Sequence, residues 1–351
     1  AVGLYDVVVA FDHVTERAWI ISQGLPEVEP SRRRRRAAVR LQQVRACLAT
    51  ASARGNRPKR RVHLPPVGAT ELTVQHSVAG PAGLTSNFSK SGYLRAVQRA
   101  IEYVYAGDVF QVNLAQRLLM PAGDDSVSLY LRLRRCNPAP FAGYFDLGDF
   151  QVVSASPERF LRVCDGEVET RPIKGTRQRT NMQQFEHLAA TELHQSEKDT
   201  AENVMIVDLL RNDLSRVCRP ESVCVSQLCQ VETYQYVLHL VSAVRGRLRE
   251  GCSPVDLLRA AFPGGSITGA PKVRAMEIIT ELEPTARGAY CGSLGYLGFD
   301  ASLDLSILIR TIAAGRGWWQ APVGGGVVAQ SVPELEYEET WHKAEGLIRA
   351  F

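Results

Sequence analysis

The stretch FQVVSASPERFLRV, Phe150 to Val163, has the alternating apolar pattern of β-structure and lies near the middle of a mixed chain. Strands are predicted before it in VFQVNLAQRLLM and FAGYFDL, and after it in GSLGYLGFD, LDLSILIRTIAA and WWQAPVGGGVVA. Helical periodicity predicts helices in SKSGYLRAVQRAIEYVYAGD, in the long segment 183–218, in PKVRAMEIITELEP and in ELEYEETWHKAEGLIRAF. Helices interspersed among mostly short strands indicate a layered α/β or α+β fold rather than a bundle or a barrel.

The composition is that of a soluble protein. The chain has 351 residues, of which 45% are hydrophobic and 22% are charged, enough for one large or two modest domains. No run approaches the roughly 20 apolar residues of a membrane span, and no signal-peptide pattern opens the chain. Its eight cysteines are scattered without a C-x-x-C pair. We therefore expect reduced, mostly buried thiols in a cytoplasmic protein with no membrane partner.

The basic residues are concentrated in one segment. Residues 31–61 hold twelve of the 41 Lys and Arg and no acid, so the rest of the chain is net acidic although the whole carries +4. A nucleic-acid patch is one interpretation. However, no aromatic residue interleaves the arginines, as a stacking surface requires. We favour a solvated helix, AAVRLQQVRACLATA, followed by a linker, and expect no nucleic-acid partner. Before the segment, LYDVVVAFD and RAWIISQ predict a β-hairpin.

Two pairs of acidic residues have helical spacing. Asp199 and Glu202 lie three residues apart in one predicted helix, and Glu336 and Glu339 lie three apart in another. This spacing places both members of a pair on one helix face. If the helices converge, their carboxylates form an oxygen-rich site for Mg²⁺, which typically binds one or two carboxylates and keeps several waters. Acidic pairs on helices are more often surface charge, so the spacing alone leaves both readings open.

Two glycine-rich segments and one lysine complete the chemical features. FPGGSITGAPK precedes a helix, and Gly324 to Gly326 interrupt a strand pattern, where backbone N–H groups suit a carboxylate or where the chain simply bends. Neither segment matches a nucleotide-binding fingerprint. In ETRPIKGTRQR, Lys174 lies among arginines, which would favour the free amine that attacks an electrophile, and Glu158 could serve as general acid or base. A salt-bridging loop lysine is the alternative.

Six motifs resemble those of the chorismate-utilising enzymes, in the same order. This family includes anthranilate synthases, aminodeoxychorismate synthases, and isochorismate and salicylate synthases. The motifs are SASPERF, RPIKGTRQR, AENVMIVDLLRND, FPGGSITGAPK, CGSLGY and EYEETWHKAEGL. The resemblance is dense from residue 83 to residue 351. It implies an α+β fold of two interleaved α/β subdomains, with antiparallel sheets facing each other and helices outside.

Two positions distinguish members of this family. Gln111 matches the position at which isochorismate and salicylate enzymes carry a water-activating lysine; glutamine cannot act as a base, so ammonia is favoured as nucleophile. Lys174 matches the lysine of PIKGT in aminodeoxychorismate synthases, where anthranilate synthases read PIAGT. The resemblance therefore implies that Lys174 attacks C2 of chorismate and expels the C4 hydroxyl. Ammonia then adds at C4, giving 4-amino-4-deoxychorismate for p-aminobenzoate and folate synthesis. Anthranilate formation, for tryptophan synthesis, is the alternative.

The other roles are carried over by position. Glu158 matches the general acid/base, and Glu202 and Glu339 match two Mg²⁺ ligands. Asp199 and Glu336 would support the metal from behind these ligands or through a bound water. His239 matches a histidine that assists the chemistry. The positions that match substrate contacts are Gly175, Thr176, Thr268, Tyr290, Arg310, Gly324, Gly325, Gly326 and Lys343.

The resemblance also sets expectations for partners and domains. No G-x-C-x-G amidotransferase motif is present, so a separate glutamine amidotransferase subunit is expected to supply ammonia. Family members usually have a longer N-terminal region, which completes one sheet and forms one side of a tryptophan pocket. The other side of that pocket is a segment that resembles NPAPF, residues 137–141 of this chain. We therefore predict that residues 1–80, with a basic linker at about 31–61, are a remnant of that subdomain or belong to a fragment. Residues 81–351 are the predicted chorismate-binding domain, and bound tryptophan is not expected.

Overall fold

The computed structural model describes residues 1–51, 64–178, 183–233 and 237–351, which form two compact units divided after His63. This division lies earlier than the boundary predicted at residue 80. The reason is that residues 64–80 bond to the larger unit: the Val67 N–H donates to the Arg316 carbonyl at 3.0 Å, and strand His76–Ser77 pairs with strand Thr85–Ser86. The interpretation of the first residues as a remnant subdomain stays a prediction.

The smaller unit contains the predicted hairpin and the basic helix. Strands β1 (Val7–Asp12) and β2 (Arg17–Ser22) pair antiparallel, and helix α1 spans Pro30–Ala51. The Arg40 guanidinium lies 3.1 Å from an Asp6 carboxylate oxygen and ties the helix to the hairpin. The helical part of the basic segment is confirmed, and its continuation as a linker lies outside the described residues.

The larger unit alternates strands and helices along the chain. Its described strands are β3 (His76–Ser77), β4 (Thr85–Ser86), β5 (Gln111–Pro121), β6 (Phe141–Asp146), β7 (Phe150–Ser156), β8 (Arg159–Cys164), β9 (Glu167–Thr170), β10 (Ile173–Gln178), β11 (Cys224–Thr233), β12 (Val237–Arg247), β13 (Gly269–Ala270), β14 (Ser293–Leu297), β15 (Leu303–Ile307), β16 (Thr311–Gly315) and β17 (Trp318–Val327). Its helices are α2 (Lys90–Tyr105), α3 (Ser126–Cys136), α4 (Gln183–Gln195), α5 (Glu197–Ser215), α6 (Pro254–Ala261), α7 (Lys272–Leu282) and α8 (Pro333–Ile348).

These strands form two antiparallel sheets. The seven-stranded sheet has the order β10-β12-β9-β8-β15-β14, with β11 also paired to β12. The eight-stranded sheet has the order β3-β4-β5-β17-β16-β7-β6, with β13 also paired to β5. Sequence neighbours β7 and β8 lie in different sheets, and so do β15 and β16. The two sheets are therefore interleaved along the chain, as the resemblance implied.

The two crossings between sheets are bonded to each other. FQVVSASPERFLRV is two strands, not one, because the chain changes sheet between Ser156 and Arg159. LDLSILIRTIAA likewise divides before Thr311. The Ser156 hydroxyl donates to the Ile307 carbonyl at 2.6 Å, and the Ala155 N–H donates to the Arg310 carbonyl at 3.0 Å. Each crossing thus carries one residue that the sequence marked as functional, Glu158 or Arg310.

The helices pack on these sheets and bury several hydrophobic core clusters. Helices α4 and α5 contact the seven-stranded sheet, whereas α2, α3, α7 and α8 contact the eight-stranded sheet. One core cluster joins Phe160 of β8, Ile206 and Leu210 of α5, and Ala115 of β5, so it draws on both sheets. Each large apolar side chain buried there contributes roughly 1.5–3 kcal/mol. The predicted α+β fold is confirmed.

Side-chain caps fix where the helices begin. The Ser89 hydroxyl accepts the Gly92 N–H at 3.0 Å and starts α2 within the segment predicted as a helix; of the two candidate caps, Ser89 and Ser91, it is Ser89. The segment predicted as one long helix is two, because the Ser196 hydroxyl accepts the Asp199 N–H at 3.2 Å and starts α5 separately. Helix α3 was not predicted; the Asp125 carboxylate caps it by accepting two backbone N–H groups at 3.0 Å.

The cysteines and the helices bear on two further expectations. All eight cysteines are free thiols, but only Cys218 and Cys291 are buried, so the expectation of mostly buried thiols is wrong. Cys47, Cys164 and Cys224 are exposed. Among the described residues, no helix combines the length and the apolar character that crossing a membrane requires.

Candidate active site

A bulge in strand β10 positions Lys174. The register between β10 and β12 shifts between Lys174 and Thr176, and Gly175 at the bulge has φ +66°. A β-carbon on Gly175 would lie 2.6 Å from Leu193 Cδ1 and 3.0 Å from Asp199 Cγ. Only glycine therefore allows α4 and α5 to approach this strand so closely.

Lys174 pairs with a carboxylate rather than standing among cations. Its Nζ lies 3.7 Å from Glu202 Oε2 on α5, and both side chains are largely buried. The neighbouring Arg171 pairs with Glu232, and Arg177 lies 3.6 Å from Asp199 Oδ2. Arg179 lies outside the described residues. The expectation that uncompensated arginines surround the amine is therefore wrong, because each described arginine here has its own acid.

The two acidic helices converge, as the predicted metal site requires. Lys198 Nζ on α5 lies 3.5 Å from Glu336 Oε1 on α8. Lys343 Nζ lies 2.5 Å from Glu339 Oε1, one helical turn along α8. Together with the pair of Lys174 and Glu202, three lysines alternate with three glutamates. The acidic pairs thus belong to a paired cluster in which Glu336 and Glu202 are largely buried and Glu339 is 45% exposed, and they are not simple surface charge.

The carboxylates of this cluster differ in their proton affinity. Burial raises the pKa of Glu202 despite the opposing charge of Lys174, and the charges of Asp199 and Glu336 add to the rise. Burial likewise raises the pKa of Glu336, to which the Glu339 charge contributes. For Glu339 burial acts in the same direction, but Lys343 outweighs it and the pKa is lowered. Burial is therefore the main cause of the raised pKa values of Glu202 and Glu336, against the lysines that pair with them.

The donor chemistry of the cluster fits Mg²⁺. Within the described part of the chain, no group of three or more His, Cys, Asp or Glu side chains forms a metal cage. Mg²⁺ does not require one, because it keeps several waters and binds one or two carboxylates. Glu202 and Glu339 come from separate helices and remain the predicted ligands. Glu336 lies beside Glu339, whereas Asp199 is engaged by Arg177, so its supporting role stays a prediction as well.

Glu158 is the buried acid of the site. Burial raises its pKa to about 7, against the opposing charges of Lys174 and Lys343. The Ser266 hydroxyl donates to Glu158 Oε1 at 3.2 Å. A carboxyl group with this pKa is populated in both protonation states near neutral pH, which suits general acid/base catalysis.

The predicted substrate contacts form a cationic surface around Gly324 to Gly326. Lys343 Nζ donates to the Gly324 carbonyl at 2.8 Å, and burial lowers the pKa of this lysine. Tyr290 is buried and Arg310 is half-buried; loss of hydration lowers the pKa of the guanidinium and raises that of the phenol. Two charged groups with poor solvation are suited to binding a carboxylate.

The glycines let α8 approach β17. A β-carbon on Gly325 would lie 3.1 Å from Glu336 Oε2 and 3.3 Å from Glu339 Oε1. Along the glycines β17 pairs with β5, whereas β16 pairs only with residues 318–320 of β17. The lack of side chains at these glycines therefore allows α8 to pack close to β17. This favours a functional role of the segment over a simple bend.

Three other predicted residues occupy less direct positions. His239 lies opposite Thr176 in the pairing of β12 with β10, and a hydrogen bond to the Gly175 backbone opposes the burial that lowers the histidine pKa. The Thr268 hydroxyl donates to the Gly264 carbonyl at 2.8 Å, so it is engaged within its own loop. The Thr176 side chain lies outside what the structure describes.

Sequence reasoning missed three residues of the site. Ser266, which donates to Glu158, lies inside the glycine-rich segment FPGGSITGAPK. Lys198, which pairs with Glu336, precedes Glu202 by one helical turn, and that spacing was a usable signal. Asn113 is buried, and its amide nitrogen has no partner among the described residues. No pattern in the sequence marks an unpartnered amide.

Comparisons with known proteins agree on one family. The family model described as chorismate binding enzyme matches residues 1–349. Anthranilate synthase component 1 of Thermus thermophilus is 48% identical over 271 residues, covering 77% of this chain and 59% of that protein. Aminodeoxychorismate synthase component 1 of Bacillus subtilis is 40% identical over 347 residues, covering 99% of this chain and 69% of that protein. The crystal structure of anthranilate synthase component I from Streptococcus pneumoniae matches with a TM-score of 0.79 at 32% identity, covering 98% of this chain and 72% of that one.

Sequence identity to the relatives does not distinguish between the anthranilate synthase and the aminodeoxychorismate synthase reactions. Proteins named for either reaction are similar to this chain at comparable identity, 48% for the Thermus thermophilus anthranilate synthase component and 48% for the aminodeoxychorismate synthase component of Salmonella typhimurium. The chain spans less than two thirds of the length of both relatives, 59% and 58%.

Proposed function

Since this chain belongs to the chorismate binding enzyme family, we propose that it aminates chorismate at C4 to give 4-amino-4-deoxychorismate, as the relatives named aminodeoxychorismate synthase component 1 suggest. The observation that carries this proposal is Lys174, a largely buried amine that the bulge at Gly175 holds 3.7 Å from Glu202. A primary amine at this point is a nucleophile that an alanine could not replace.

In the proposed first step, the Lys174 ammonium loses its proton to water, and the free amine forms a bond from Nζ to ring carbon C2. Both ring double bonds shift by one position, to C1=C6 and C4=C5, and the bond from C4 to its hydroxyl breaks. Glu158 donates a proton to the departing hydroxyl, which leaves as water. A pKa of about 7 keeps a fraction of this carboxyl protonated at neutral pH.

In the second step, ammonia forms a bond to C4 and the bond between C2 and Lys174 breaks. Both ring double bonds return to their original positions, and the lysine recovers its electron pair. One proton of the added ammonia passes to the ionised Glu158, which restores the acid. The enolpyruvyl ether stays on the ring, so no pyruvate is released.

Partly buried cations hold the two carboxylates of chorismate in this proposal. Arg310 is one of them, and its charge interacts with the phenol of Tyr290 and with the carboxylates of Glu339 and Glu158. Lys343 adds a second cation that the Gly324 carbonyl orients. Glu202 and Glu339 would hold Mg²⁺, which when bound neutralises the ring carboxylate and screens it from the acids of the site.

In the proposed reaction, a partner protein would supply the ammonia. The chain has no amidotransferase cysteine motif of the G-x-C-x-G kind. We therefore propose that a separate glutamine amidotransferase subunit delivers ammonia. Glutamine-dependent turnover by this chain alone would show that the partner is unnecessary.

Product analysis tests the reaction. The chain is incubated with chorismate, ammonium and Mg²⁺, and the products are separated by chromatography and assayed for pyruvate. We expect aminodeoxychorismate without stoichiometric pyruvate. Formation of anthranilate with one pyruvate per chorismate would overturn this proposal in favour of an anthranilate synthase reaction. The 48% identity to an anthranilate synthase component supports that alternative. Omission of ammonium is the matched control.

A further inference from the structure

Side chains take the place of a neighbouring strand along part of one edge of β5. Strand β13 pairs with β5 from Gln111, and β4 pairs with it near its other end. In the interval between them, Glu283 Oε1 accepts the Ala115 N–H at 2.9 Å, and Arg287 Nη2 donates to the Asn113 carbonyl at 2.7 Å. Glu283 and Arg287 therefore satisfy backbone groups that would otherwise need a strand partner.

Glu283 and Arg287 form a buried ion pair just beyond helix α7. The Glu283 side chain is 5% exposed and that of Arg287 is 14% exposed. Arg287 Nε donates to Glu283 Oε2 at 3.0 Å, and Nη2 donates to Oε1 at 2.5 Å. Because two different guanidinium nitrogens bond to the two carboxylate oxygens, the plane of the guanidinium is fixed.

The guanidinium of Arg287 is fully engaged within the protein. It has five N–H donors. Glu283 accepts from Nε and from one N–H of Nη2, and the Asn113 carbonyl accepts from the second N–H of Nη2. Nη1 donates to the Ile267 carbonyl at 3.0 Å and to the Cys291 sulfur at 3.5 Å. With all five donors occupied, Arg287 acts on other residues and not directly on a ligand.

Two of the segments that Arg287 contacts carry residues of the candidate site. Ile267 follows Ser266, whose hydroxyl donates to Glu158 Oε1 at 3.2 Å. The guanidinium carbon Cζ of Arg287 lies 5.7 Å from the centre of the Tyr290 ring, within the range of a cation–π contact. Tyr290 is buried and matches a substrate-contacting position. Arg287 therefore connects the residue beside the proposed acid with a proposed substrate contact.

Glu283 extends this arrangement to the glycine strand. Ala115, whose N–H Glu283 accepts, lies opposite Gly324 in the pairing of β5 with β17. The Gly324 carbonyl in turn accepts from Lys343 Nζ at 2.8 Å. Glu283 thus fixes β5 next to the part of β17 that orients the proposed carboxylate-binding lysine.

We propose that Arg287, held by Glu283, is a positioning residue of the chorismate site: it fixes the Tyr290 ring and the loop of Ser266 relative to strand β5. A lysine cannot replace it, because a single ammonium cannot reach the Glu283 carboxylate and both backbone carbonyls with the fixed spacing of a guanidinium fork. This inference rests on the proposed amination of chorismate and names a residue on which the geometry of that site depends.

The variant Arg287→Lys separates positioning from stability. Thermal unfolding is measured first, and kcat and the KM for chorismate are then measured at a temperature where circular dichroism shows the variant fully folded. We expect the KM for chorismate to rise at least about tenfold because the Tyr290 ring is displaced. We expect kcat to fall at least about tenfold because Ser266 no longer holds Glu158. An ion pair that only stabilises the fold would lower the unfolding midpoint and leave both constants unchanged.

Double-mutant cycles test whether Arg287 acts through these two residues. In a Ser266→Ala background, Arg287→Lys should lower kcat much less than it does in wild type, since the contact with Glu158 is already absent. In a Tyr290→Phe background, it should raise the KM for chorismate much less than in wild type, since the phenol is already absent. Additive effects in either cycle would overturn the inference.

An exposed pair of the same kind gives the matched control. Arg349 donates to Glu345, also four residues away, and the two side chains are 64% and 56% exposed. Arg349→Lys should leave kcat, the KM for chorismate and the unfolding midpoint at their wild-type values. Glu283→Gln is a second test variant that does not depend on the folding of Arg287→Lys. It keeps an acceptor oxygen for Ala115 but removes the charge that holds Arg287, and it should shift both constants in the same directions.

Two failures can be distinguished. If wild type aminates chorismate and both Arg287→Lys and Glu283→Gln, when folded, keep the wild-type kcat and KM, the pair only stabilises the fold. The inference is then wrong while the proposed function stands. If wild type converts no chorismate at any concentration of ammonium and Mg²⁺, the proposed function and the inference fall together.

Discussion

Lys174 Nζ lies 3.7 Å from Glu202 Oε2, and this contact joins the bulged strand β10 to helix α5. The proposed nucleophile and a proposed metal ligand are therefore one ion pair in a largely buried site. A second pair, Lys198 with Glu336 at 3.5 Å, joins α5 to α8. These two contacts connect β10, α5 and α8. A substitution on one of these elements should therefore change the activity that depends on residues of the others.

Removing either proposed metal ligand should weaken the response of turnover to Mg²⁺ without unfolding the chain. Each of the variants Glu202→Gln and Glu339→Gln loses one carboxylate charge. Because Mg²⁺ is usually bound by only one or two carboxylates, this loss should weaken its binding. We expect the Mg²⁺ concentration for half-maximal turnover to rise at least about tenfold. Turnover and isothermal calorimetry with Mg²⁺ alone measure this. Asp208→Asn on α5, whose side chain is 80% exposed, is the control. Undiminished activity of Glu339→Gln at limiting Mg²⁺ would remove Glu339 from the metal site.

Glu158 should make the stability of the protein depend on pH. Burial raises its pKa from 4.5 to about 7 in the folded state. Between these values the folded protein keeps a proton that the unfolded chain has released, so the free energy of unfolding falls as pH rises. Relative to Glu158→Gln, wild type should lose about 3 kcal/mol across this range. Urea unfolding at several pH values measures the difference. Parallel pH profiles for the two proteins would show that Glu158 is not buried as described, and exposed Glu338→Gln serves as control.

Gly326→Ala should disturb the site through one methyl group. The added carbon would lie 2.4 Å from Gln111 Nε2, which forces the amide or the strand to move. Such overpacking typically costs about 1–3 kcal/mol of unfolding free energy, and ammonia-dependent turnover should fall as well. Thermal unfolding and steady-state kinetics are the measurements. Gly123→Ala, where the carbon meets Trp319 at an ordinary 3.6 Å, should be neutral. Equal behaviour of the two variants would contradict the close approach.

The buried pair of Lys272 and Asp213 should be important for folding. Lys272 Nζ lies 2.7 Å from Asp213 Oδ2 and donates to the Ala261 carbonyl at 2.9 Å, which fastens the loop of Ser266 to α5. Lys272→Met leaves a buried carboxylate unpaired and should cost about 3–5 kcal/mol of unfolding free energy.

The control for this prediction is an exposed pair. Arg211 and Asp208 lie 3.4 Å apart on the surface of α5, and Arg211→Met should cost less than about 1 kcal/mol. Denaturant unfolding of both variants gives the comparison. A cost for Lys272→Met no larger than that for Arg211→Met would mean that the buried pair does not stabilise the loop.

Periodic segments were predictable because their own residues determine them. Helix α2 combines a helical apolar pattern with the cap Ser89, and it begins where predicted. Crossings between sheets were not predictable from periodicity, since the apolar pattern continues through Leu308 and Ile309 although strand β15 ends at Ile307. Arg310 follows with φ +51°, a backbone conformation that an arginine in the sequence does not predict. Helix α3 was missed although Asp125 caps it, because its apolar stripe is short.

The site was predictable in its charged residues and not in its pairings. The spacing of Asp199 and Glu202 indicated one face of a helix, but only the tertiary fold pairs Glu202 with Lys174 and Glu336 with Lys198. The same limit explains why arginines were expected to surround Lys174. Which acid neutralises Arg171 or Arg177 depends on strand pairing and bulge position, which the sequence does not state.

Mass spectrometry after rapid quenching tests the central claim, that Lys174 bonds to the chorismate ring, most directly. Wild type is mixed with chorismate and Mg²⁺, quenched in acid within the first turnover and digested. In wild type we expect a peptide in which Lys174 carries the ring after loss of water, and in Lys174→Ala we expect no such peptide. That variant should be slower by several powers of ten if covalent assistance contributes several kcal/mol, since about 1.4 kcal/mol corresponds to tenfold in rate. No adduct at any time in wild type, together with full activity of Lys174→Ala, would contradict the account and return Lys174 to a structural ion pair with Glu202.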